Sequence, residues 1–152
     1  MKPKSSLFIA LILAAQFLFA NTNNSTTQKI DSLLQLANQH VVVDYNKMLI
    51  ESNKAIILAE KQNNIPKKIE GYNLISKALL ALNQLDKASY YIDKALKEDY
   101  VKNNNKQKAL FLSTQATYYS RLGLPKFYLQ KNIEALDLIK FKNDIESKLI
   151  KA

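Results

Sequence analysis

The sequence predicts an all-α protein, a right-handed solenoid of antiparallel helix pairs with about three repeats and the start of a fourth. Three observations carry this expectation. The chain holds only 2 Gly and 3 Pro in 152 residues, too few breakers for a turn-rich β-sandwich or a glycine-rich nucleotide fold. Its apolar residues recur at helical rather than alternating spacing. The pattern also returns at a constant interval, from Ala55 to Ala95 to Ala135, which marks a stack of supersecondary units.

The first segment reads as an address. Lys2 and Lys4 form a short basic start, Leu7–Ala20 is apolar except for Gln16, and a polar stretch, NTNNSTTQ, follows. This is the layout of a secretory signal peptide over residues 1–20, with Ala20 as the small residue before cleavage. The apolar run falls short of the ~20 residues that span a bilayer comfortably. Residues 21–29 are expected to be a flexible polar leader, and residues 30–152 the repeat domain.

The repeat is visible in Asn53-Lys54-Ala55-Ile56, Asp93-Lys94-Ala95-Leu96 and Ile133-Glu134-Ala135-Leu136, each one period from the next. Asn63, Asn103 and Asn143 follow at the same interval, each in a polar connector. Ile30–Asn38 suits a short first helix and Asp44–Lys61 a second. In the clearest unit, Ile69, Tyr72, Ile75, Ser76, Leu79 and Leu82 share one helical face. Asn83-Gln84 breaks the pattern. Leu85, Ala88, Ile92, Ala95 and Leu96 then form the face of a second helix, Leu85–Lys97. A break this short forces an antiparallel hairpin, and Ser76, Ala88 and Ala95 let its backbones approach. A third second-helix is expected over Pro125–Lys140, with Pro125 at the start, where its missing N–H costs nothing. The length beyond a compact repeat is assigned to the connectors KQNNIPKK and VKNNNKQK. After Lys142-Asn143, Asp144 suits an N-cap, and Ile145, Leu149 and Ile150 begin another stripe, read as the opening turns of a fourth unit in a truncated chain.

Tyr72, Ser76, Leu79, Ala88, Ile92 and Ala95, within YNLISKALLALNQLDKASYYIDKAL, resemble the tetratricopeptide repeat. The next unit keeps Leu112, Ala116, Tyr119, Gly123 and Ala135 but departs at Tyr128 and Asn132. A one-residue slip to Leu129 and Ile133 would repair that helix. The period, about 40 residues against about 34 in the usual repeat, is shared by HEAT-type arrays. The alanine spacing nevertheless favours the tetratricopeptide pattern. The resemblance covers about Ile30–Ala152 and implies a protein-interaction scaffold.

Composition and motifs point the same way. The net charge is +9, carried by Lys with a single Arg, Arg121. Sequence-specific DNA readers depend on Arg for bidentate base contacts, so no nucleic acid is expected on this segment. The chain has no Cys, which removes disulfides, thiolate metal sites and a cysteine nucleophile. His40 is the single histidine, and Asp44 stands one helical turn away; a two-histidine metal site is impossible. No phosphate-binding or nucleophile-elbow motif occurs. No enzyme activity, cofactor or metal is expected. Tyr90-Tyr91 and Tyr118-Tyr119 each place one ring toward the core and one toward solvent, because neighbours on a helix point about 100° apart.

In stacked hairpins the leading helices line a concave face. Off the core stripe there stand Asn73, Lys77 and Leu80, matched one period on by Ser113, Thr117 and Ser120, with Arg121 alongside. Asn73, Lys77, Ser113, Thr117 and Arg121 make a groove of amide, hydroxyls and two cations, suited to an extended protein or peptide ligand and its carboxylates. The signal sequence, Asn/Lys-rich leader and long-period array resemble the periplasmic tetratricopeptide region of Bacteroidetes-type membrane-anchored regulators. The resemblance implies a sensor or interaction region exported to the periplasm, attached to the membrane by its signal sequence or a missing C-terminal anchor, with a DNA-binding or kinase output elsewhere. A free-standing periplasmic or secreted adaptor is the alternative. Export predicts that the mature chain begins near Asn21. N-terminal sequencing of the processed product should find no Leu7–Phe19 segment, and recovery of the intact chain from the cytosol would refute the expectation.

Overall fold

The computed structural model describes the backbone of residues 25–150 and the side chains of residues 25–140. Among the described residues there are seven helices and no strand. They are α1 (25–39), α2 (Tyr45–Lys61), α3 (Ile65–Ala81), α4 (Leu85–Lys97), α5 (Asp99–Lys102), α6 (Asn105–Arg121) and α7 (Pro125–Ile150). Apart from the short α5, helices start at Tyr45, Ile65, Leu85, Asn105 and Pro125, an even step each time. The fold is therefore all-α, and two such steps, one helix pair, equal one period of the sequence pattern. The expected signal peptide lies outside the described residues.

The turns explain the even step. At the ends of α2, α3 and α6 the chain enters the left-handed region at Asn63 (φ 51°), Asn83 (φ 56°) and Gly123 (φ 70°). Asn and Gly tolerate this conformation best. In each case the left-handed residue donates its N–H three residues back: Asn63 to Glu60 O, Asn83 to Leu80 O, Gly123 to Ser120 O. The next residue reaches five back: Asn64 to Ala59 O, Gln84 to Leu79 O, Leu124 to Tyr119 O, at 2.8–3.0 Å. This paired pattern is the Schellman cap. It satisfies the last carbonyls of one helix and reverses the chain within three residues.

The starts are capped too. The Asp44 carboxylate accepts from the backbone N–H groups of Asn46 and Lys47. The Asn64 and Asn104 side chains, one period apart, accept from Lys67 N and Gln107 N. These caps correct the expected connectors. KQNNIPKK is a three-residue turn followed by the first turn of α3, where Pro66 fits because its N–H is not needed. The Asn104 cap likewise makes NKQK part of α6, and Val101 in α5 is fully buried. The extra repeat length resides in long helices, α2, α3 and α6, and in α5.

Further corrections fall at the two ends. Residues 25–29, expected as leader, are helical. Thr27 Oγ1 lies 3.3 Å from Gln62 Oε1, which ties the start of α1 to the α2–α3 turn. Asn143 and Asp144 are not a connector and cap; α7 runs on through Ile150. No Gly or Pro interrupts Lys126–Ile150, so nothing in the backbone stops propagation. The expected slip in α7 does not bury Leu129 and Ile133, which stay exposed. Ala135, with Leu138, is what packs on Ala109 and Leu112 of α6.

Two larger clusters hold the rest together. Ile30, Leu34 and Ala37 of α1 meet Met48, Ala55 and Ala59 of α2 and Leu74 and Ala78 of α3. On the other side of α3, Ile69, Tyr72, Ile75 and Leu79 meet Ile56, Ala88, Ala95, Val101 and Phe111. Each large side chain taken fully from water contributes roughly 1.5–3 kcal/mol. The small residues Ser76, Ala88 and Ala95 are fully buried on facing helices, and Ser76 Oγ donates to Tyr72 O at 2.7 Å, so its hydroxyl is satisfied.

Gly71 marks the tightest approach. A Cβ there would sit 2.5 Å from Ile56 Cγ1, well inside van der Waals contact. Gly71→Ala should therefore lower the melting temperature even though alanine gains about 1 kcal/mol in helix propensity. In an Ile56→Ala background the same change should become neutral or stabilising; destabilisation of equal size in both backgrounds would show that the contact is not the cause. Ala95→Arg should cost several kcal/mol, roughly 3–5, because it forces an unpaired charge into the core. Chemical denaturation followed by far-UV circular dichroism reads both.

Candidate functional site

The groove residues come from α3 and α6. The two helices touch because both carry small or apolar residues on the shared face. Between them lies a hollow of about 300 Å³ lined by Lys77, Leu80 and Ala81 of α3 and by Leu110, Ser113, Thr114, Thr117 and Arg121 of α6. Four of the five residues singled out in the sequence thus meet at one place. Asn73 does not join them there. It is buried, and its Oδ1 lies 3.5 Å from Thr114 Oγ1, which is held more closely, at 3.0 Å, by Leu110 O.

Asn73 instead lines a second hollow of about 430 Å³, between α1 and α3, with Asp31, Gln35, Asn38, Lys67 and Lys77. Lys77 belongs to both hollows, so the two join into one surface running across α1, α3 and α6. Leu80, placed in the groove by sequence, lines it while being buried in the core. Ser120 is exposed and does not line it.

Charge is unevenly neutralised along this surface. Lys67 is pinned by Asp31 at 2.7 Å and by Glu70 at 3.1 Å. Its hydrogen bond to Asp31, above all, holds its pKa above the usual lysine value. By contrast, Lys77 and Arg121 have no carboxylate partner among the described residues, and both are exposed. Thr117 donates its hydroxyl to Ser113 O. The Ser113 hydroxyl and the two cations remain directed to solvent or to a ligand. The hollow thus offers two unneutralised positive charges beside an apolar floor, which suits a carboxylate on an extended chain.

A second polar cluster, unmarked by any sequence pattern, lies where α2, α3 and α4 meet. Lys68 pairs with Glu98 at 2.6 Å, both largely shielded. Tyr72 OH donates to Glu60 at 3.3 Å, and Lys94 Nζ sits 5.0 Å from the Tyr72 ring centre. Burial raises the Tyr72 pKa, and the contact with Tyr72 raises that of Lys94. Both shifts lead away from neutrality, so Tyr72 stays protonated and Lys94 charged. The cluster joins three helices and is not poised for proton transfer. Tyr91 packs toward Tyr72 while Tyr90 is exposed, as the angular offset between helical neighbours requires. Tyr118 and Tyr119 are both half-buried, the latter against Phe127.

His40 sits in the turn after α1, half-buried, and Asp44 spends its carboxylate on the α2 cap rather than on the imidazole. Among the described residues no three His, Asp or Glu side chains group closely enough to hold a metal. Nor, among them, is any helix long and apolar enough to cross a membrane. No family model, curated protein or solved structure matches this chain.

The Asp44 cap makes a pH prediction. The Lys47 backbone N–H, first among its contacts, holds the Asp44 pKa below the usual carboxylate range. A depressed folded-state pKa means the contribution is complete above the unfolded carboxylate value and is lost as pH falls through the folded one. Asp44→Asn retains the capping oxygen but does not titrate. The difference in stability between wild type and this variant should therefore shift as pH falls through the acid range and stay flat near neutrality; a flat difference throughout would exclude the cap as its source.

Proposed function

We propose that this chain is a tetratricopeptide-like right-handed solenoid that serves as a non-enzymatic protein- or peptide-binding scaffold on the export side of the membrane. The even step of helix starts, the one-period spacing of the Asn64 and Asn104 caps and the contact of α3 with α6 support the solenoid. The observation that carries the binding reading is the pair of unneutralised cations, Lys77 and Arg121, around one hollow. An extended peptide would lie across α1, α3 and α6, with an acidic side chain or its terminal carboxylate between those two residues. The basic, apolar N-terminal segment of residues 2–20 supports export. The signal sequence and array together favour a sensor or interaction region of a larger signalling regulator.

The test is selection of random peptides with free C-termini on the purified chain, followed by binding titration. Selected peptides should be acidic or bound through the terminal carboxylate, with affinity falling as salt rises, since exposed charges are screened over about 10 Å at 0.1 M. Lys77→Glu with Arg121→Glu should abolish binding while leaving the melting temperature nearly unchanged, because both side chains are exposed. Unchanged affinity in that variant would place the site elsewhere.

A further inference from the structure

Between α6 and α7 runs an apolar groove of about 590 Å³. Leu110 of α6 and Tyr128, Leu129, Ala135, Leu136 and Ile139 of α7 line it. Its exposure is local to this end of the molecule. Counting back two periods places Leu136 at the position of Ile56, Tyr128 at that of Met48, Ile139 at that of Ala59 and Leu110 at that of Ile30. Ile56, Met48, Ala59 and Ile30 are 5%, 0%, 0% and 0% exposed, whereas Leu136, Tyr128, Ile139 and Leu110 are 54%, 43%, 46% and 36% exposed. The earlier set is buried because α3 lies antiparallel across α2 and also packs on α1. The same face of α4, with Ala88, Ile92 and Ala95, is buried with α6 packed on that helix. The groove is therefore built to receive an antiparallel helix.

The register also says which helix. The helices that fill the equivalent places open on Asn64-Ile65 and Asn104-Asn105, with Ile69 and Ala109 as their first buried anchors. At the next recurrence of the period stand Asp144-Ile145 and Leu149. Yet α7 continues without a break through Ile150. At a rise of about 1.5 Å per residue this carries residue 150 about 16 Å beyond Ile139 along the same axis. The segment in register for the groove is thus in line with α7 and cannot also lie beside it.

We propose that residues 144–150 of one molecule occupy the α6–α7 groove of a second copy, and the reverse, so that two chains pair their α7 helices antiparallel about a two-fold axis. Such an exchange lays an antiparallel helical segment over the Leu136–Ile139 end of the groove on both molecules and closes on itself without forming a filament. It leaves the α3–α6 hollow, on the other side of Leu110 and Ser113, open to a ligand.

Sedimentation equilibrium of the full chain over a concentration series should show a monomer–dimer equilibrium. Leu136→Glu with Ile139→Glu damages the groove alone, and Leu149→Glu the segment alone. Each should weaken dimerisation at least about tenfold, the scale of a central interface anchor. Leu136 and Ile139 are already half-exposed, so the helical signal and melting temperature of the groove variant at low concentration should hold. Mixing the two variants should recover part of the dimer, because the intact segment of one meets the intact groove of the other. A monomeric wild-type chain, a dimer that survives both sets of changes, or a mixture no better than its components would each overturn the proposal.

Discussion

Helix α3 is the element on which the other helices lean. Ten of its 17 residues are buried, around nearly its whole circumference. An amphipathic helix buries one stripe; a helix buried all round must have neighbours on every side. Here α2 and α4 flank it in sequence, α1 and α6 flank it one unit away, and α5 closes one end. Its fit against α2 depends on the missing side chain of Gly71, which lets Ile56 Cγ1 approach where a Cβ would stand. Tyr72, Ser76 and Leu79 then sit at the depth needed to meet α4, and Asn73, Lys77 and Leu80 look toward α6. The position of the candidate groove follows from this packing.

Buried side chains are unevenly shared along the molecule. The units on either side share two clusters with α3, while α6 and α7, which lie along each other, enclose a separate and smaller cluster of Ala109, Leu112 and Ala135 with Leu138 against it. Each helix is held by its own contacts and by those to its neighbours. The outer face of α7 lacks such a neighbour among the described residues, and that same face carries the groove assigned to a second copy. The α3–α6 hollow, in contrast, has Lys77 on the most extensively buried helix and Arg121 at the end of α6.

Some of the cations are engaged and others are not. Where α2, α3 and α4 meet, cations are engaged: Lys68 with Glu98, and Lys94 over Tyr72. Across α1, α3 and α6, Lys67 is engaged by Asp31 and Glu70, while Lys77 and Arg121 are not. A net charge of +9 does not by itself locate a binding surface. A paired lysine offers little to an incoming anion, and an unpaired one offers its full charge.

Local pattern in the chain was enough for the helical class, the hairpin at Asn83-Gln84 and the helices starting at Leu85 and Pro125, because periodicity, caps and breakers act within one or two turns. It was also enough to mark Lys77, Ser113, Thr117 and Arg121, since residues off the apolar stripes of two leading helices fall on a common face. It misjudged the connectors, because Asn64 and Asn104 as caps, and Pro66 as a first-turn residue, look like loop residues until the hydrogen bonds are seen. It also placed a break at Asn143-Asp144, where α7 runs on unbroken. Long-range packing was needed to bury Asn73 behind Thr114, to make Gly71 set the α2–α3 distance, and to leave Tyr128, Leu136 and Ile139 uncovered. Each of these depends on which helix lies across another, a relation between residues distant in the chain that local pattern does not encode.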